Sequence, residues 1–201
     1  MGYSNYKKLK TVVKKFGLDA KITALFPPIE GVLPSSWLVE TLSLAEFLPL
    51  TNEKAKAERL ISPILSEIAR AYQTQISLFS GEDLNVRSED DLNGECDFFF
   101  ALHPPKPYID TPIISLVEAK GEDMEMGIAQ CSAQMYGAKL YNETENRNIP
   151  VIYGCATTGT DWQFIKLENN IFSVDNKVLT NLPQVLATWH YILSFYITNY
   201  L

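Results

Sequence analysis

The stretch "GECDFFFALHPPKPYIDTPIISLVEAK", residues 94–120, decides how this chain is read. Two short runs rich in Phe, Ile, Leu and Val flank a ten-residue segment holding four prolines. Aromatic and β-branched runs of that length suit buried strands, and the prolines exclude regular structure between them. Yet both runs carry charge. Asp97 sits inside the aromatic run, and Glu118 and Lys120 close the aliphatic one. A buried carboxylate or ammonium is costly unless it is paired, hydrogen-bonded or bound to a metal. The segment therefore hides an ion pair in a sheet or builds a site there.

Strand side chains alternate between faces. Leu116, Glu118 and Lys120 thus share one face, while Asp97 points opposite to Cys96 and Phe98. If the two runs are hairpin neighbours, Asp97 lies across from Glu118. Two carboxylates that close repel one another in a low dielectric, and a single lysine neutralises only one of them. Oxygen ligands of this kind suit magnesium, with manganese as a substitute. A neighbouring lysine can stabilise charge developing on phosphate or help position an attacking water. The set suits metal-assisted hydrolysis of a phosphodiester, and the competing reading is a structural salt-bridge cluster.

Upstream, Tyr3, Tyr6, Leu9, Val13 and Phe16 recur at three- and four-residue steps with lysines beside them, which predicts an amphipathic helix over 3–16. "LFPPIEGVLPSS" reads as a linker, after which Ser35 or Ser36 caps a helix from about Trp37 to Phe47. Thr51 or Asn52 caps a second helix whose buried face is Leu60, Ile61, Ile64, Leu65, Ile68 and Ala71; Pro63 should kink or offset it. "QISLF" is a strand followed by an acidic turn, and strands over about 95–102 and 113–120 follow. Downstream come a helix in "EDMEMGIAQCSAQMYGAKLYNE", a strand in "IPVIYGCATT", and a strand or hairpin in "WQFIKLENNIFSV". The uncharged tail 181–201 is interrupted by Pro183, Gln184, His190 and Asn199, so it reads as a helix packed on the sheet, not as a membrane span. The expected fold class is α/β, a mixed sheet flanked by helices in a single domain of 201 residues. Residues 1–50 form an N-terminal helical extension, 51–178 the core and 179–201 the closing helix.

Cys96, Cys131 and Cys155 are dispersed, with no zinc-type spacing and only two histidines, which argues against a disulfide framework or a structural zinc. With no visible secretory signal, the expected compartment is the cytoplasm. The net charge of −7 is unevenly spread. Residues 1–21 carry six lysines against Asp19, and the rest of the chain carries 11 basic and 23 acidic residues. An acidic body of this kind binds a polyanion weakly unaided.

Asp97, about twenty residues, then Glu118-Ala119-Lys120 resembles the D-(x)n-(D/E)-x-K signature of the PD-(D/E)xK nuclease superfamily. The order helix, three strands, helix, strand from about residue 52 to 157 resembles its restriction endonuclease-like αβββαβ core. With "AQCSAQMYGA" following, the chain is most similar to bacterial members related to restriction enzymes, although Cys96 stands where the signature has proline. The resemblance implies a magnesium-dependent endonuclease acting on DNA, with a second copy or a DNA-targeting partner protein supplying specificity. Asp97 and Glu118 would ligate the metal with the Ala119 carbonyl, Lys120 would be the catalytic lysine, and Gln130 and Gln134 would face the site or the DNA. Glu58 is the candidate for an added helix glutamate, with Glu53 and Glu67 as rivals on other angles of that helix. A catalytically silent nuclease-fold module is the alternative, and a scaffold working through the basic helix and aromatic tail is a third.

Overall fold

The computed structural model describes residues 2–201. A 3-10 turn at Tyr3–Asn5 leads to α1 (Leu9–Phe16), which Gly17 ends in the left-handed conformation at φ +64. β1 (Asp19–Thr23) and α2 (Ser36–Ala45) follow, and the Ser35 side chain caps α2 by accepting the Leu38 N–H. α3 (Glu53–Lys56) starts at Asn52, whose side chain accepts the Ala55 N–H. It continues through a π-helical turn at Ala57–Ile61 into α4 (Ser62–Ala71). That turn is the form the expected Pro63 offset takes. Ser62 donates to the Ala57 carbonyl five residues back, and the widened ring accommodates the proline that follows.

The remaining elements are β2 (Ser77–Asp83), β3 (Glu95–Ala101), β4 (Ile113–Ala119), α5 (Met124–Thr144), β5 (Val151–Thr157), β6 (Trp162–Glu168), β7 (Ile171–Asp175) and α6 (Leu182–Tyr200). They form one mixed seven-stranded sheet in the order β1-β7-β6-β5-β4-β3-β2. β4 and β5 are parallel, joined by the α5 crossover, and β1 is parallel to β7; the other neighbours are antiparallel. The fold is α/β. Three expectations shift. The helix expected over 3–16 is split into the 3-10 turn at Tyr3–Asn5 and α1, because Tyr6 and Lys8 are extended between them. The strand read as "QISLF" runs on through Gly81 to Asp83, and the 1–50 segment contributes an edge strand as well as helices. β1 is mostly exposed, so it shows no apolar alternation from which a strand could be read.

The two sheet faces are covered differently. Gly154 faces α5 so closely that a Cβ there would lie 2.4 Å from the Met135 sulfur, so only glycine permits this approach. The other face is aromatic. Trp189 of α6 packs against Phe100 of β3 and Phe164 of β6, and Tyr196 meets Tyr153 of β5. The Tyr196 hydroxyl lies 2.8 Å from the carbonyl oxygens of both Ile114 and Val151, tying α6 to the two central strands. Asn142 of α5 brackets Ile113, accepting its N–H and donating to its carbonyl, which fixes where β4 begins. β6 and β7 form the hairpin, turning at Asn169 and Asn170, both at positive φ as a tight two-residue turn requires. Among the described residues, no helix is long and apolar enough to cross a membrane.

Candidate active site

β3 and β4 pair with Phe98 opposite Val117 and Phe99 opposite Leu116. Carrying that register one step further sets Asp97 against Glu118, and directly opposed residues of an antiparallel pair share a face. Asp97 Oδ2 accepts the Ala119 N–H at 2.7 Å. Glu118 is 5% exposed, and both of its oxygens have partners. Oε1 lies 2.8 Å from Lys120 Nζ, and Oε2 accepts from Gln134 Nε2 at 2.6 Å. Lys120, 9% exposed, is bounded on its other side by Glu53, whose Oε2 lies 3.8 Å from the ammonium. Gly127 at the start of α5 leaves room for the lysine stem, because a Cβ there would lie 3.0 Å from Lys120 Cγ.

Helix α3 clamps the end of β4. Glu53 Oε1 accepts the Gly121 N–H at 3.0 Å, and Lys56 Nζ donates to the Gly121 carbonyl at 2.8 Å. A groove of about 620 Å³ opens beside this clamp, walled by Glu53, Glu58, Glu95, Asp97 and the Ala119 segment. Gly81, at φ +67, forms part of that wall and contributes no side chain to fill it.

The electrostatics follow from three acids around one cation. Burial pushes the Glu118 carboxyl up to about 7, and the nearby Asp97 charge adds to this against the lowering pull of Lys120 and Gln134. Burial likewise raises Asp97, opposed by the Ala119 N–H and by Lys120. Burial pulls Lys120 down, but Glu118, Glu53 and Asp97 outweigh it and hold the ammonium above its ordinary value.

The structure thus brings together Asp97, Glu118, Lys120, the Ala119 backbone and Gln134. It does not bring in Gln130, expected on the same helical face, which is buried and donates to the Ser4 carbonyl at 3.2 Å because the N-terminal segment covers that turn. Of the three helix glutamates, Glu53 is the one that contacts the site. Glu58 lies on the groove wall with its side chain 60% exposed and 3.9 Å from Lys54. Glu67 accepts from the Ser35 backbone and hydroxyl, and so anchors the start of α2. Both histidines have structural partners: His103 meets Ser77 and the Asp110 carbonyl, and His190 meets Tyr72. The roles of Lys56 and Gly81 are absent from any sequence pattern. Neither occupies a motif position, and only the folded sheet end brings Lys56 to the Gly121 carbonyl and Gly81 to the groove.

No protein-family model matches the chain, and neither does any curated protein. Among the described residues, no group of three or more His, Cys, Asp or Glu side chains converges as a metal cluster. The oxygens that could hold a cation are those of Asp97 and Glu118 with the Ala119 carbonyl, a hard-donor set matched to magnesium or manganese. Gln134 Oε1 is buried beside them without a hydrogen-bond partner.

Because folding raises the Glu118 carboxyl above its ordinary 4.5, the folded state holds this proton more tightly than the unfolded chain. Stability from this group is therefore full at low pH and declines as pH rises from 4.5 to about 7, by about 3 kcal/mol in all. Urea unfolding in chelator between pH 5 and 8 should show this decline, and Glu118→Gln should flatten it. Equal slopes in the two proteins would refute the assignment.

Proposed function

We propose that this chain is a divalent-metal-dependent nuclease that hydrolyses phosphodiester bonds of DNA. The observation that carries the reading is the meeting of Asp97, Glu118 and a protonated Lys120 at adjoining strand ends beside an open groove. The element order α4, β2, β3, β4, α5, β5 supports it, as does the resemblance of Asp97…Glu118-Ala119-Lys120 to the PD-(D/E)xK signature.

In this reading, Asp97 and Glu118 hold magnesium or manganese together with the Ala119 carbonyl. When bound, the cation would supply an acidified water and neutralise phosphoryl charge. Gln134 orients the Glu118 carboxyl by donating to Oε2. Lys120 offers a fixed positive charge to the negative charge that builds on the phosphate during attack. Glu53 positions that ammonium and, through Gly121, the strand end that carries it. The acidic body calls for a second copy or a DNA-targeting partner to bring substrate in, and three buried free cysteines fit a reducing cytoplasm.

One observation favours the alternative, a nuclease-fold binding module without catalysis: both Glu118 oxygens are already engaged inside the protein. A cleavage assay separates the two. Purified protein is incubated with duplex, single-stranded and branched DNA in magnesium, in manganese and in chelator. Cutting should require the cation and should disappear in Asp97→Asn. If the wild-type chain cuts none of these substrates with either metal, the nuclease reading falls and the binding module stands.

A further inference from the structure

We propose that Lys7, Lys8, Lys10 and Lys14 form the surface by which this chain grips the phosphate backbone of DNA alongside the candidate site. The choice of DNA as the polyanion rests on the nuclease reading; the surface itself rests on independent observations.

The first is charge without internal compensation. All four lysines are exposed, and among the described residues none forms an ion pair. Lys15, by contrast, is engaged by the Asp90 carboxylate and carbonyl. Lys10 and Lys14 stand four residues apart on α1, an arrangement that destabilises a helix slightly unless an anion lies over it. Lys8, Lys10, Thr11, Lys14 and Lys15 line one shallow depression of about 450 Å³, so these side chains border a common place. Outside residues 1–21 the chain carries 23 acids against 11 basic residues, so this segment is where positive charge is most concentrated along the sequence.

The second is attachment to the elements that carry the site. Tyr3 N–H donates to the Asn93 carbonyl and its hydroxyl to the Leu84 carbonyl, while Tyr6 donates to the Asp90 carbonyl. These bonds fasten the basic segment to the loop that enters the Asp97 strand. Ser4 accepts from Gln130, and Phe16 packs on Tyr136 at 4.5 Å between ring centres. One helical turn beyond Gln130, Gln134 reaches Glu118. A backbone held on α1 is thus held on a segment bonded both to the loop before β3 and to α5, the helix that carries Gln134.

The third argues against a helix lying in a lipid surface as the mode of use. A membrane-lying helix needs a free apolar face to bury. Val12 of α1 is fully buried, and Leu9, Val13 and Phe16 pack against the core, leaving only the polar face outward.

The test is binding, measured without any divalent cation so that it is independent of cleavage. Fluorescence anisotropy with a labelled duplex is followed across a salt series for wild type, for Lys7, Lys8, Lys10 and Lys14→Gln together, and for Lys106, Lys139, Lys166 and Lys177→Gln together. The second set changes net charge equally, and thermal melts confirm that both variants fold. The N-terminal set should weaken binding by about 30-fold or more and lower the slope of log affinity against log salt by about 3 to 4; the control set should do neither. Equal weakening in both sets, or no weakening in either, overturns the proposal. So does retention of DNA binding with loss of binding to phosphatidylserine vesicles. If wild type binds through these lysines yet cuts nothing in the cleavage assay, the nuclease reading fails and the surface stands.

Discussion

Replacing Lys120 with methionine is expected to lower DNA cleavage by about 10²- to 10³-fold, the usual loss when one preorganised charge is withdrawn from a developing oxyanion. Methionine keeps much of the side-chain length and packs against the opening at Gly127, so the change is chiefly electrostatic. Cleaving one side of a buried pair usually costs stability, because the remaining charge is stranded. Here Glu118 has an escape. Its carboxyl is already raised to about 7, so without the lysine it takes up a proton near neutral pH instead of standing ionised. The variant should therefore fold at pH 6–7, and manganese should still bind at alkaline pH, since the cation then meets no competing ammonium at Glu118 Oε1. Single-turnover cleavage and manganese titration of the same preparation make the comparison. Activity within threefold of wild type would remove Lys120 from the chemistry. Joint loss of cleavage and manganese binding would make it a structural support.

The second large effect concerns the core. Trp189→Ala should cost about 3–5 kcal/mol, the range for deleting a fully buried large aromatic. In a chain of this length that lowers Tm by roughly 6–20 °C. Trp189 is completely enclosed and touches Phe100 and Phe164 with ring centres 5.3 Å away in each case, so it joins β3 to β6 across the two strands between them. Its indole N–H, however, is buried without a partner. Trp189→Phe should consequently cost much less than the alanine change, because the volume lost is partly offset by removal of an unsatisfied donor. Chemical denaturation of the three proteins measures this. Equal costs for phenylalanine and alanine would mean that the indole N–H is satisfied in solution.

Local signals made much of the molecule legible. Asn52 and Ser35 are helix caps within reach of the next few backbone N–H groups, so no distant residue is needed to place those helix starts. The paired asparagines 169 and 170 specify their own hairpin. The alternation of "SLVEAK" sets Glu118 and Lys120 on one face whatever the rest of the chain does. The β3–β4 pairing, a condition in the sequence reading, is met: the strands on either side of the proline-rich connection are antiparallel neighbours.

Other features needed distant partners. β1 becomes a strand only because β7, some 150 residues later, offers it a parallel edge; its own exposed residues carry no periodic message. Gln130 and Gln134 are equivalent in the helix, and it is the docking of Ser4 that draws one away while Glu118 engages the other. Glu53, Glu58 and Glu67 are likewise alike by composition. Which of them meets Lys120 depends on where α3 crosses the end of β4 and on the π turn that follows it. By itself, then, the sequence determined the helices, most strands and the shared face of the motif acids, because caps, turns and alternation act over a few residues. The tertiary structure decided which acid guards the lysine, which amide holds Glu118 and where the sheet ends, because those outcomes depend on contacts between segments far apart in the chain.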